Sequence, residues 1–159
     1  RAARVDGTPH AVTLQNEYSL LQREIERDVI PVCVSLGLGV LPFFPLASGL
    51  LSGKYRRDER PAKGTRLGDR DEIPDGVDWE AIEALGRLAG ERGVELIDVA
   101  IAGLAAQPGV ASVIAGARRP EQARRNAQAG LWQPAPEDLE AIDGIVPSRR
   151  PFAPRRAEG

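Results

Sequence analysis

Val110-Ala-Ser-Val-Ile-Ala-Gly-Ala-Arg-Arg-Pro-Glu-Gln-Ala-Arg-Arg-Asn126 passes from a short apolar run into a charged helical pattern at Gly116. The run Val110 to Ala115 predicts a buried strand, and Pro120 predicts the start of a helix reaching Ala129, since proline is preorganised for the first helical position. A strand that leads through a turn into a helix is the unit of a parallel α/β fold. The same arrangement suits anions, because the first N–H groups of a helix are unpaired and glycine lets the backbone approach closely. Arg118, Arg119, Arg124 and Arg125 against Glu121 give this stretch a local charge of +3 in a chain of −2. On the residues alone it is either an anion site or a solvated arginine-rich helix face. A second basic source converging on it favours the site, and Lys54 and Arg66, flanking the long loop after strand two, are the candidates.

The alternation extends upstream. Ala11 to Leu14, with Tyr18 following, predicts strand one. Ile25, Val29, Cys33 and Leu36 recur at helical spacing until Gly37, so a helix of about three turns follows, with Pro31 in its first turn or kinking it. Leu38 to Phe44 predicts strand two, ended by Pro45. Arg56 to Val77 is a charged excursion with the length of a functional loop or lid. Asp78 caps a helix with Trp79, Ile82, Leu85 and Ala89 on one face, closed by Gly93. Leu96, Ile97, Ala100, Ile101 and Leu104 make a buried helix stopped by Pro108-Gly109, and Pro136 opens a last helix through Asp143. Three βα units result. Three parallel strands alone leave two bare edges and a bare face, so the chain reads as part of a larger α/β domain, either a (β/α)8 barrel or a doubly wound sheet.

Composition narrows the function classes. With 159 residues, 42% hydrophobic and 28% charged, the chain has the profile of about one globular domain rather than of a disordered or collagen-like polymer. A net charge of −2 does not suit a dedicated nucleic-acid binder. The uncharged stretch Val29 to Gly53 is long enough to span a bilayer, but Pro31, Pro42 and Pro45 with Gly37, Gly39 and Gly49 interrupt it, so it reads as buried core and no membrane partner is expected. One cysteine and no internal disulfide point to a reducing, cytoplasmic compartment. No His, Cys or carboxylate cluster has metal-ligand spacing. The sequence contains no Met and begins at Arg1, from which a fragment or processed piece is expected; residues 148–159, with four arginines among prolines, are expected to form a disordered tail.

Three motifs in order resemble the aldo/keto reductases. Gln15-Asn-Glu-Tyr-Ser-Leu-Leu-Gln-Arg-Glu24 is similar to the family's sixth barrel strand, and Phe43-Phe-Pro-Leu-Ala-Ser-Gly-Leu-Leu-Ser-Gly-Lys-Tyr55 to its seventh strand and following loop. Gly116 to Asn126 is similar to the phosphate and adenine loop after the eighth. The resemblance implies that residues 1–147 are the C-terminal half of a (β/α)8 TIM barrel, with about three βα units, and that the cofactor is NADPH. It further implies that Gln15 bonds the nicotinamide carboxamide and Phe43 stacks on the ring. Pro45, Leu46, Ser48 and Gly49 would line the pyrophosphate, Lys54 and Arg66 approach the phosphates, and Gly116, Arg118, Gln122 and Asn126 hold the 2′-phosphate and adenine. Arg125 departs from the family, where many relatives carry an acidic adenine contact.

The resemblance also implies what the chain does. The intact protein would transfer hydride between NADPH and a small-molecule aldehyde or ketone; the alternative is a non-enzymatic, cofactor-binding regulatory module of the same family. The family's catalytic Tyr, Lys, Asp and His lie on the first four strands, so no catalytic residue is assigned here and the chain alone is expected to be inactive. His10 reads as a surface residue, Tyr18 as core or pocket wall, Tyr55 as a loop neighbour of Lys54, Cys33 as a buried thiol, and Trp79 and Trp132 as packing anchors. Oligomeric state leaves no mark in the sequence.

Overall fold

A computed structural model of the chain describes residues 10–69 and 73–148; the predicted tail beyond Ser148 lies outside the described residues. Strand β1 (Thr13–Glu17), helix α1 (Ile25–Leu36) and strand β2 (Gly39–Phe43) form one parallel βαβ unit, in register from Thr13 opposite Gly39 to Glu17 opposite Phe43. β1 sits about two residues later than the apolar run predicts. Its partner sets its bounds, since Gly39 N–H donates to the Val12 carbonyl at one end and Tyr18 N–H to the Phe43 carbonyl at the other. Gly37 stops α1 in the left-handed conformation, φ 69°, as its position predicts. Pro31 lies in the second turn rather than the first, and the helix runs on to Leu36.

The predicted third strand is present as two parallel bridges, Val110 to Val40 and Ile114 to Phe43, rather than a continuous ladder. The cause lies in β2. Val40 faces this segment with both backbone groups, giving its N–H to Gly109 and accepting from Ala111. Pro42, the next residue on that side, has no N–H to give, so the ladder breaks there and only its carbonyl is used, by Ile114 N–H. Close approach at the start of the pairing needs a glycine: a Cβ on Gly39 would lie 2.7 Å from Ala111 Cβ. Among the described residues no other strand pairs with the outer edge of β1.

The remaining elements are a 3-10 helix (Ala47–Ser52) and helices α2 (Trp79–Glu91), α3 (Leu96–Ala105), α4 (Pro120–Ala129) and α5 (Pro136–Ile145). Asp78 caps α2 as predicted, its Oδ1 accepting from Ala81 N–H at 2.9 Å. Tyr18, Val40, Leu51, Leu67, Leu85, Val99, Leu104 and Ile142 make the centre of the core, joining the β1–β2 pair to α2, α3 and α5. Cys33 is buried there, and Trp79 and Trp132 pack against its margin. A second, small cluster of Ile97, Ile101 and Ala129 joins α3 to α4 and packs against Leu46, Val113 and Ala115.

One largely buried polar knot ties the segment after β1 to the end of α5 and the residues that follow it. Arg23 gives its Nε to Glu26 at 2.7 Å, Nη1 to the Val146 carbonyl and Nη2 to Asp143, while Tyr18 and Ser148 hydroxyls donate to the two Glu26 oxygens. Burial pushes the Glu26 carboxyl up, but the three donors and the Arg23 charge outweigh it and hold it below the ordinary carboxylate range. No helix among the described residues is long and apolar enough to cross a membrane.

Candidate functional site

The C-terminal ends of β2 and of the 110–115 segment open into one cleft of about 620 Å³, within the ordinary range for ligand sites. Its floor is apolar, from Phe43, Phe44, Leu46, Ile97 and Ile114; its rim carries Lys54, Arg66, Arg118 and Arg125. This is where ligands bind in parallel α/β folds, because the strand ends present side chains and the following turns present backbone N–H groups. Eleven of the twelve residues that the sequence assigns to a cofactor line this cleft: Phe43, Pro45, Leu46, Ser48, Gly49, Lys54, Arg66, Gly116, Arg118, Gln122 and Asn126. Gln15 does not. It is exposed in β1 opposite Leu41, on the same face of the sheet as Phe43 and two register positions away.

The wall after β2 is strained. Phe44, Ala47 and Ser48 all have positive φ, 54°, 45° and 60°, although none is glycine, and each such residue costs on the order of 1–2 kcal/mol. Gly49, at φ 97°, follows in a conformation that suits glycine, and a Cβ there would crowd the Lys54 and Tyr55 side chains at 3.3 Å. The chain thereby turns back on itself and brings Lys54 over the start of the 3-10 helix. Strain gathered at a cleft is a mark of a site rather than of a scaffold.

The opposite wall is the turn at Gly116 that leads into α4. Gln122 Oε1 accepts from the N–H groups of Arg118, at 2.8 Å, and Arg119, at 3.2 Å. Gln122 therefore spends its carbonyl on capping α4, and its amide Nε2 is what remains for a ligand. Asn126 Nδ2 donates to the Gly116 carbonyl at 3.3 Å and closes the turn onto the helix. Arg118 projects into solvent, 73% exposed, with Asp69 at 3.7 Å as its counter-charge. Arg66 stacks on Phe44, its guanidinium carbon 4.9 Å from the ring centroid, and Phe43 meets Phe44 edge-on at 5.3 Å.

Arg125, which stands in the sequence as part of the local positive charge and as a departure from the family's acidic adenine contact, also lines the cleft. It is tied by both terminal nitrogens to Asp98 of α3 and by one of them to Glu95. Its partner lies 27 residues earlier, on a helix whose pattern reads as mostly buried, so local sequence held no signal for the pair. Arg124 is exposed beside Glu121 at 4.0 Å. Phe44, Ser52 and Thr65 also line the cleft. Phe44 was legible as the second aromatic at a strand end, whereas Thr65 arrives only through the folding of the long loop. Tyr55 and Tyr18 do not line the cleft and both are buried.

Residues 1–147 match the model of the Aldo/keto reductase family. The chain is 34% identical over 154 residues to a "Probable voltage-gated potassium channel subunit beta" from Oryza sativa subsp. japonica, covering 91% of this chain and 45% of the relative. It is 35% identical over 136 residues to "Uncharacterized oxidoreductase YrpG" from Bacillus subtilis, covering 86% and 40%. Among solved structures it resembles the glycerol dehydrogenase AKR11B4 from Gluconobacter oxydans, with a TM-score of 0.70, 26% identity, and coverage of 92% of this chain and 46% of that one. The chain thus spans about half the length of the curated relatives it matches.

Proposed function

Because this chain belongs to the aldo/keto reductase family, we propose that it is the cofactor-holding C-terminal half of an oxidoreductase barrel whose cofactor is NADPH. The carrying observation is the convergence of three separate stretches, 43–54, 64–66 and 114–126, on one cleft with an apolar floor and a cationic rim. That donor set fits a nicotinamide dinucleotide: Phe43 offers a flat face to the nicotinamide, the strained 45–49 turn lets backbone approach the pyrophosphate, Lys54 and Arg66 answer its charge, and Gly116, Arg118, Gln122 and Asn126 receive the adenosine 2′-phosphate and base. Gln15, two register positions from Phe43 on the same sheet face, is proposed for the carboxamide. Among the described residues no strand pairs with the outer edge of β1, which supports the half-barrel reading.

When bound, the cofactor supplies a hydride to the carbonyl carbon of an aldehyde or ketone. The residues of this chain bind and orient it; the proton for the developing alkoxide comes from elsewhere in the intact protein, and the cytoplasm is the proposed compartment. Fluorescence titration tests the reading: the intact protein should bind NADPH and reduce an aldehyde, while purified residues 1–159 should show no turnover. Aldehyde reduction by 1–159 alone, or failure of the intact protein to bind either NADPH or NADH, sinks it.

The names of the rice and Arabidopsis thaliana relatives, both "Probable voltage-gated potassium channel subunit beta", favour one second reading, a regulatory subunit that binds cofactor without reducing carbonyls. Cofactor binding by the intact protein with no turnover on any aldehyde or ketone would select it.

A further inference from the structure

Tyr55, a loop neighbour of Lys54 in the sequence, is almost fully buried, 5% exposed, and meets Leu67, Lys54 and Gly49. Its hydroxyl oxygen accepts from the Leu67 backbone N–H at 3.2 Å, across twelve residues of loop. The Lys54 ammonium lies 5.1 Å from the centroid of its ring. A Cβ at Gly49 would stand 3.3 Å from its Cε2, so the ring is seated directly beneath the strained turn.

Leu67 follows Arg66, and the segment around them is a preformed knot. Thr65 N–H and Oγ1 both bond the Ala62 carbonyl, Asp69 N–H bonds the Thr65 carbonyl, and Asp69 Oδ1 accepts from Gly64 N–H at 2.7 Å. Gly68 lies so close to Ala62 that a Cβ there would stand 2.0 Å from the Ala62 carbonyl oxygen. These bonds tie residues 62–69 into one unit. It is fastened to the protein by Leu67, 1% exposed in the core, by the Leu67 N–H on Tyr55, and at the surface by Arg66 on Phe44 and Asp69 near Arg118.

We propose that Tyr55 is a positioning residue that holds the 62–69 strap, and with it Arg66, over the cleft, while its ring seats Lys54, so that one buried phenol sets both loop cations. The part of this that concerns a ligand rests on the nicotinamide reading above. The strap's anchorage does not. A buried N–H deprived of its acceptor costs about tenfold in the local opening equilibrium, and opening of the strap withdraws Arg66.

The test is Tyr55→Phe in the intact protein, which keeps the ring and removes the acceptor. Hydrogen exchange without cofactor should show the Leu67 amide exchanging about tenfold faster while amides of α3 are unchanged. NADPH should dissociate about fivefold faster, with its association rate altered less than twofold. Because Tyr55 acts through the strap, the Tyr55→Phe, Arg66→Ala double variant should hold NADPH no more weakly than Arg66→Ala alone, within twofold. Unchanged exchange at Leu67 overturns the anchorage. Faster exchange with unchanged NADPH dissociation, or additive losses in the double variant, overturns the positioning role. If the unaltered protein binds neither NADPH nor NADH, the nicotinamide reading fails, and the exchange at Leu67 still decides whether Tyr55 holds the strap.

Discussion

Arg125 grips Asp98 with both terminal nitrogens, Nη1 to Oδ1 at 2.6 Å and Nη2 to Oδ2 at 2.8 Å, and so joins α4 to α3 beside the cationic rim. Asp98 also accepts from Glu95 N–H at the start of α3, at 2.8 Å. Burial pushes its carboxyl up, but the hydrogen bonds from Arg125 and Glu95 N–H and the Arg125 charge prevail and hold it below the ordinary carboxylate range. Its folded pKa being depressed, the pair contributes stability that is present above about pH 4 and is lost as the pH falls through the lower folded value. Asp98→Asn should therefore lower stability at pH 7 by about 1.5–3 kcal/mol, and the gap to the unaltered protein should close in acid. Urea melts at pH 7 and pH 3 check both; a gap independent of pH would refute the assignment.

Ser48 sits at φ 60° and ψ 17°. Glycine tolerates that conformation and a β-branched residue does not. Ser48→Gly should leave stability unchanged or raise it by up to about 1 kcal/mol, whereas Ser48→Val should lower it by about 1–3 kcal/mol. Paired thermal melts decide, and equal effects from the two would mean that the turn is not strained.

Gly39 separates β2 from Ala111. A methyl group there, 2.7 Å from Ala111 Cβ, should push the 110–115 segment away and cost about 1–3 kcal/mol. Ala111→Gly should recover much of the loss in the double variant, and its failure to do so would place the cost elsewhere.

Phe43 is half-buried at the cleft floor, its ring edge-on to Phe44. On the proposed function, Phe43→Ala in the intact protein should weaken cofactor binding by about 1–2 kcal/mol, the scale of an aromatic contact plus lost burial. Single-turnover hydride transfer should slow as well, and an unchanged rate would rule out stacking against the nicotinamide.

Arg118 stands just past the Gly116-Ala117 turn with its guanidinium 3.7 Å from Asp69. Arg118→Ala should cost about 1.5–3 kcal/mol for NADPH and far less for NADH, because only the former carries the 2′-phosphate. Both dissociation constants must be measured at one salt concentration, since screening shrinks the difference. Equal losses would move the 2′-phosphate assignment to Arg66.

The local chemistry of the site was legible in the chain order. Gly116, Pro120 and Gln122 build the turn and its cap within seven residues, and Asp78 and Gly37 mark helix ends by conformational preference alone, so no distant partner is needed to read them. What required the tertiary structure is every feature whose energy comes from contact between remote segments. The pairing of Val12 to Tyr18 with β2 shifted strand one. Pro42, unremarkable within its own strand, broke the ladder of its neighbour by withholding one N–H. Arg125 found Asp98, and Tyr55 found Leu67, across loops that local periodicity cannot see through. The sequence by itself determined which residues prefer strand, turn and cap; only the folded chain decided which of the cations face one cleft, because burial and charge pairing are properties of neighbours in space rather than neighbours in order.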